Sequence, residues 1–309
     1  MKVSHLESRR GRGHHIPARR PWERGPGFLL SSLAMEQALA HYFRHLERAG
    51  LNPAPDWCPS RDPDVRPRTD LTLDPIRQVL EFGPGLQISE DTAGGVHSDH
   101  ATHAMARVLV DRASELSGAR LLEIGCGTGV LSVLAARLGA RVTATDLDEH
   151  ALTLAANNAR ANQVTLDLRC GSLLDPLDSQ ERFPWIVANL PQKPAPAEGL
   201  LPLANWGGPE GDELFQGLFD AVGSHLEENG RVLFFMHSLP HPRFLTRLQQ
   251  EFDLFPLRWY LRWIERGEFG PLGDIFKERS REGISHLHVE GDEAALVCCI
   301  WMARLAQAP

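Results

Sequence analysis

From about residue 98 to the end of the chain, short apolar runs alternate with stretches of helical periodicity, and few folds accommodate that order. The pattern predicts a helix over Asp99–Leu116 followed by a strand over Arg120–Ile124. Helix Val130–Leu138 leads to strand Ala140–Thr145, and helix Glu149–Asn162 leads to strand Val164–Arg169. Strand Trp185–Ala188, helix Asp212–Leu226, strand Arg231–Met236 and helix Pro242–Phe252 follow. Apolar strands separated by helices imply a parallel sheet covered on both faces. Two further β-like runs, Leu257–Ile264 and Ala294–Ala303, have little helix between them and are expected to close the sheet as an antiparallel hairpin. The fold class is therefore α/β: a doubly wound, Rossmann-like sheet of seven strands with an antiparallel terminal hairpin.

The preceding residues divide in two. Residues 1–34 are rich in Arg, Gly, Pro and His without a sustained hydrophobic period, and read as a disordered basic tail. Phe28-Leu29-Leu30 is too short for the apolar stretch of a secretory signal. Residues 35–97 form a helical and linker extension. Leu39, Tyr42, Phe43 and Leu46 share one face of a docking helix, and five prolines from Pro53 to Pro67 mark an irregular linker. A short helix is expected from Asp74-Pro75 through Phe82, then a brief strand around Leu86–Ile88. The main domain is 98–309.

Charge narrows the partners. The chain carries a net −8, but the first 34 residues hold seven basic and two acidic side chains, so the remainder carries −13. An acidic body repels a phosphate backbone, which argues against nucleic acid. The longest apolar run, Ala294–Ala303, is about half the ~20 residues needed to span a bilayer, so no membrane partner is expected. The five cysteines lack C-x-x-C spacing, which points to a reducing, cytoplasmic compartment.

The chemistry is concentrated at a few loops. Leu121-Leu122-Glu123-Ile124-Gly125-Cys126-Gly127-Thr128-Gly129 is a hydrophobic strand entering a glycine-rich turn that opens a helix, and Asp146 ends the next strand. Such a turn lets backbone approach a ligand, and a carboxylate at the second strand end suits ribose hydroxyls. The glutamate-led E-I-G-C-G-T-G turn, the element order and the terminal hairpin resemble the class I S-adenosylmethionine-dependent methyltransferases. That resemblance covers roughly residues 98 to 309 and implies S-adenosylmethionine as cofactor. It assigns Glu123, Gly125, Cys126, Gly127 and Gly129 to the methionine end and Asp146 and Leu147 to the ribose side; where family members place an acid for the adenine this chain has Ser172, so that the Ser172 hydroxyl and the Leu173 backbone contact the adenine or the segment is a plain loop.

Asn189-Leu190-Pro191-Gln192 at the end of the fourth strand resembles the N-P-P-Y loop of amino-group methyltransferases. Gly207-Gly208-Pro209-Glu210-Gly211 resembles a segment of the release-factor glutamine methyltransferases, the group closest in these motifs. The resemblance makes Asn189, Leu190 and Pro191 the acceptor-orienting residues, with Asn189 also beside the cofactor. Gln192 stands where the family has an aromatic residue, and without a stacking face a small molecule becomes the expected acceptor, preferably an amino-acid-derived nitrogen. Alternatives are a protein glutamine amide on a release factor or ribosomal protein, and an S-adenosylmethionine-binding protein without catalysis.

Two further segments are candidates. His97-Ser98-Asp99-His100-Ala101-Thr102-His103 reads as a cofactor lid or pocket wall, as a capped helix start, or as metal ligands, a last reading that methyl transfer does not require. Gly95-Val96-His97 within this region resembles the G-x-H of ribosomal-protein methyltransferases, and His97 or His100 is a candidate base. The polar insertion 265–292 reads as a substrate lid with Arg279 or Arg281 holding a carboxylate, or as a solvated loop. Trp259 and Trp263 line either the pocket or the core. No metal is called for, and the oligomeric state is not legible.

Overall fold

The structure is a computed structural model that describes residues 42, 44–48, 50–51, 79–81, 86–91, 95–265, 272–290 and 293–306. The basic tail and the proline linker lie outside these residues. Seven strands of an eight-stranded sheet run in the order β5 (Leu166–Cys170), β4 (Arg141–Asp146), β3 (Arg120–Ile124), β6 (Phe183–Ala188), β7 (Leu226–His237), β10 (Glu293–Leu305) and β8 (Phe252–Glu265). β3 to β7 are parallel to their neighbours, whereas β10 pairs antiparallel with both β7 and β8. The doubly wound sheet with a reversed edge is thus present, the last strand being slotted between β7 and β8. An additional short strand, β9 (Leu287–Glu290), pairs with residues 293–296 of β10, beyond the stretch that β7 occupies.

The period-two rule explains the layering. Leu121, Trp185, Val187, Leu233 and Phe235 pack in one core, while Leu122, Ile124, Ile186, Ala188, Val232 and Phe234 pack in the other. β10 obeys the same alternation, with Leu296, Cys298 and Ile300 on one side and Val297, Cys299 and Trp301 on the other. Helices cover both faces. α1 (His100–Asp111) buries Ala101, Met105, Val108 and Leu109, and its start is capped by the Asp99 carboxylate, which accepts the Thr102 N–H. α2 (Ala113–Leu116) is a single turn. α3 (Val130–Arg137) is apolar almost all round because its first six residues are buried. α4 (Glu149–Ala161) and α5 (Glu213–Val222) follow β4 and precede β7, and α5 buries Phe215, Leu218, Phe219 and Val222 at helical spacing. α6 (Arg243–Leu248) joins β7 to β8, and α7 (Gly273–Arg281) lies between β8 and β9.

Several expectations need correction. Val79–Glu81 (β1) pairs antiparallel with Gln87–Ser89 (β2), so the end of the expected 74–82 helix is a strand; residues 74–78 and 82 lie outside the described residues. A three-residue V-L-E run is compatible with either period, and the partner strand decides. The helix expected to continue to Phe252 stops at Leu248, because Phe252 already pairs with Leu305. The insertion is neither a bare loop nor solvated throughout: Leu272, Phe276, Ser285, His286 and Leu287 are buried. Residues 42 and 44–48 are helical, and Tyr42 and Leu46 join the core cluster of Phe215 and Phe219, as a docking helix requires. Among the described residues no helix is long and apolar enough to cross a membrane.

Trp301 anchors the reversed edge, fully buried with its ring edge-on to Trp259 at 5.2 Å between centroids. Trp301→Ala should cost about 3–5 kcal/mol in urea unfolding, and a loss below about 1 kcal/mol would show that the edge strands do not share the main core.

Candidate active site

β3 lies between β4 and β6, so the loops leaving β3 and β6 diverge at the carboxyl edge of the sheet. The turn after β3 holds Gly125, Gly127 and Gly129 at φ of 68°, 53° and 73°. Two of them show why side chains are excluded. A Cβ at Gly129 would sit 2.7 Å from that of Ala155 on α4, whereas at Gly127, where a Cβ would meet nothing within 4 Å, the left-handed φ is what disfavours a side chain. Gly125 and Cys126 both donate backbone hydrogen bonds to the Thr145 carbonyl, which fastens the turn to β4.

Asp146 completes the attachment. Its Oδ2 accepts the Gly127 N–H at 2.8 Å and its Oδ1 accepts the Asp148 N–H at 2.9 Å. Burial nevertheless raises its pKa, as does Asp148 beside it. Each carboxylate oxygen keeps a lone pair for a further donor, which fits two vicinal hydroxyls. Leu147 beside it is 61% exposed, an apolar surface at the strand end. The loop after β5 closes this side: Gly171 donates to the Asp146 carbonyl, and the Leu173 carbonyl accepts the Thr145 hydroxyl. Leu173 adopts φ 47°, a conformation that costs a branched side chain energy and that the Thr145 bond maintains. Ser172 is exposed. The open turn, carboxylate, apolar residue and exposed hydroxyl are chemically suited to an adenosine-containing cofactor.

Glu123 does not face that ligand. It is 3% exposed, accepts both the hydroxyl and the N–H of Ser132, and so caps the start of α3 from beneath. Burial pushes its pKa up to about 8. The glutamate that leads the motif is thus buried behind the turn, with its carboxyl turned to Ser132.

On the other side of β3, Asn189 donates through Nδ2 to Thr102 Oγ1 at 3.1 Å and to Asp99 Oδ1 at 3.3 Å. A carboxylate only accepts, so the nitrogen end of the amide must face Asp99, and Oδ1 is left to accept. The surrounding protein opposes charge on Asp99, but His100 and the hydrogen bonds from Thr102 and Asn189 outweigh that, and the carboxyl pKa is lowered. Thr102 and Asp99 were not expected to have this role; the signal was the capping pattern itself, which places two oxygens at the start of α1. Leu190 is buried, with its side chain against the β3 turn, and its carbonyl accepts a long 3.5 Å contact from Gln192; Pro191 is half-buried.

Gln192 is not part of an acceptor pocket. It is 5% exposed, donates to the Phe235 carbonyl at 3.1 Å and accepts the His237 N–H at 2.7 Å. Both ends of its amide are thereby committed to β7, and the missing aromatic residue carries no information about the acceptor. Gly207 explains the neighbouring glycine pair, because a Cβ there would lie 2.5 Å from the Gln192 Cα.

The histidine-rich segment divides by residue. His100 is half-buried, its Nδ1 lies 2.7 Å from the Tyr260 hydroxyl, and its ring is edge-on to Phe235. Burial pushes its pKa down to about 4 despite the opposing Asp99, so it is neutral but a weak proton acceptor. His97 is exposed, while the following Ser98 hydroxyl meets that of Thr128 at 3.2 Å, which places the 95–98 stretch beside the glycine turn as a lid would be. Among the described residues no group of three or more His, Cys, Asp or Glu could hold a metal ion. Arg279 and Arg281 do not converge on Asn189. Arg279 bonds Glu210 and Ser285, and the exposed Arg281 pairs with Glu278 one turn back. Trp259 packs on Trp301, and the side chain of Trp263 lies outside the described residues.

Residues 93–195, the cofactor turn through the acceptor loop, match the family described as ribosomal protein L11 methyltransferase. The ribosomal protein L11 methyltransferase of Acetivibrio thermocellus is 35% identical over 113 residues, covering 36% of this chain and 33% of that protein. The one from Legionella pneumophila strain Corby is 34% identical over 137 residues, covering 44% and 40%. The chain thus spans about a third to two-fifths of these relatives. A solved ribosomal protein L11 methylase from Lactobacillus delbrueckii subsp. bulgaricus is 23% identical with a TM-score of 0.42, covering 65% of this chain and 79% of that one.

Two expectations fall with these matches. The matching family is not the release-factor group, and the named relatives act on a ribosomal protein, which overturns the small-molecule acceptor inferred from Gln192. If Glu123 is protonated as its burial requires, the native state holds a proton that the unfolded chain releases near pH 4.5, so stability should fall between pH 4.5 and about 8. Urea unfolding across that window should show a flatter profile for Glu123→Gln than for the parent; parallel profiles would mean the carboxyl stays ionised. The stretch that forms the cofactor half of this site, residues 93–195, is thus similar to ribosomal protein L11 methyltransferases.

Proposed function

We propose that the chain transfers a methyl group from S-adenosylmethionine to a nitrogen of a protein acceptor. The observation that carries this reading is the fixed amide of Asn189, whose nitrogen end is held by Asp99 and Thr102 so that Oδ1 can accept an N–H from the incoming group. The similarity of residues 93–195 to ribosomal protein L11 methyltransferases supports a protein as the acceptor.

The bound cofactor supplies an electrophilic methyl on a sulfonium. The chain's part is to hold and orient. Asp146 and the Gly127 amide fix the ribose side, Leu147 and the Ser172–Leu173 turn take the adenine side, and the 95–98 stretch covers the turn. Asn189 and the Leu190 carbonyl accept from the acceptor nitrogen, so its lone pair points along the line of the bond that breaks. When bound, the cofactor would give up its methyl carbon to the nitrogen and keep the electrons of the broken C–S bond, and the nitrogen's surplus proton would leave to water. His100, with its pKa near 4, stays neutral and forms part of the wall instead of taking that proton. Orientation of this kind accounts for large rate factors without covalent chemistry by the protein.

Transfer of tritiated methyl into acid-precipitable protein, with cell protein lacking the modification as substrate, tests the reading. Asn189→Ala should lower kcat about 10²-fold while cofactor affinity is unchanged. Asp146→Ala should weaken S-adenosylmethionine binding about tenfold or more, measured by calorimetry. Label recovered only in the acid-soluble fraction would contradict the protein acceptor, and an Asn189→Ala variant of undiminished kcat would contradict the role of the amide.

A further inference from the structure

We propose that Arg279 is a positioning residue for the acceptor loop, acting through Glu210 to brace Asn189–Gln192 against the end of β7. The proposal rests on the reading of Asn189 given above, but its physical basis is separate.

The brace begins where β7 leaves the sheet. The Ser238 hydroxyl donates to the His286 carbonyl, and the His286 N–H returns a bond to the Ser238 carbonyl at 2.7 Å. Ser285, fully buried, donates its hydroxyl to the Leu239 carbonyl and accepts from Arg279 Nε at 3.1 Å. The amides of Ile284 and Ser285 both donate to the Arg279 carbonyl, which closes the end of α7 over the same point. Arg279 therefore grows from a base fastened to the strand end. Its side chain is 12% exposed, too enclosed for a solvent-facing charge.

The far end of the guanidinium reaches the loop 207–211. Nη2 donates to the Glu210 carboxylate at 3.1 Å and to the Glu210 carbonyl at 3.3 Å. Glu210 and Gly211 are folded tightly, since both of their amides donate to the Glu213 carboxylate. This loop is in backbone contact with the acceptor loop. The Gly207 N–H donates to the Lys193 carbonyl at 3.1 Å, the Ala195 N–H donates to the Gly208 carbonyl at 3.1 Å, and a Cβ on Gly207 would lie 2.8 Å from the Pro191 carbonyl oxygen. Residues 207–211 cannot shift without moving 191–195.

Gln192 already ties the acceptor loop to Phe235 and His237. Asp99 and Thr102 hold Asn189 at the start of the loop, and the segment after Gln192 is bonded to residues 207–211. A further tether, running from Ser238–Leu239 through Ser285 and Arg279 to Glu210, starts from the next residues of the same strand end and steadies that segment. An arginine suits the task because its rigid fork can bond Ser285 and Glu210 at once, which a lysine ammonium cannot reproduce. The described part of the insertion is on this account a strut for the reaction geometry, which also explains why Ser285, His286 and Leu287 are buried within it.

Hydrogen–deuterium exchange on the full chain tests this without knowledge of the acceptor. Arg279→Met and Glu210→Ala should each speed exchange in peptides spanning residues 189–211 by about tenfold, and the double variant should add little to either. Peptides spanning 121–131 and calorimetric affinity for S-adenosylmethionine should be unchanged. Glu278→Gln, on the exposed side of the same helix, should alter neither. If Arg279→Met does not fold, Arg279→Lys should give a smaller change confined to the same peptides. In the transfer assay Arg279→Met should lower kcat with the KM for S-adenosylmethionine unchanged. Unaltered exchange in 189–211, or equal acceleration in 121–131, would overturn the proposal. Because exchange is read without methyl transfer, a failed brace and a mistaken reaction assignment give different results.

Discussion

The site exists because the chain reverses its direction of travel across the sheet at β3. From there it winds outward through β4 and β5, then returns to place β6 on the other side, so the loops after β3 and β6 part from one another at the carboxyl edge. Every other feature serves that gap. Asp146 binds the glycine turn to one bank, and the start of α1 holds Asn189 on the other. Glu123, buried under the turn, keeps α3 aimed at the same opening by accepting from Ser132.

The two banks are held by different means. The cofactor side relies on backbone geometry, with glycines in left-handed conformations and amides donating to Thr145 and Asp146. The acceptor side relies on side-chain amides and charges, because the N-L-P-Q loop has little regular structure of its own. Its orientation is imported from β7 through Gln192 and from α1 through Asp99 and Thr102. That division is physically sensible, since backbone bonds suit a cofactor whose contacts do not change and side-chain bonds adjust to whichever acceptor approaches.

The parts of this arrangement that the sequence disclosed are those governed by short-range rules. Strand Arg120–Ile124 has the expected bounds because its apolar run is cut off by glycine, and α4 starts at Glu149 as expected because Asp148 caps it. Asp146 and Asn189 could be placed because strand ends are fixed by the same periodicity. Glu123, Gln192 and Arg279 were misread because their partners are distant or on another element: Ser132 lies beneath the turn, the Gln192 bonds reach 43 and 45 residues away, and Arg279 reaches 69 residues back. A polar residue in a functional motif looks the same in sequence whether it points into a site or behind it. Val79–Glu81 was misread for a similar reason, since three residues of mixed polarity take their structure from the strand they meet.

The claim on which the account turns is that the fixed Asn189 amide presents a protein nitrogen to the methyl donor. Peptide mass mapping of the protein fraction from cells carrying the parent chain and from cells carrying Asn189→Ala tests it most directly. The account predicts a peptide that bears a methylated nitrogen in the first and lacks it in the second. Identical peptide maps, with both chains equally abundant and equally able to bind S-adenosylmethionine, would contradict it.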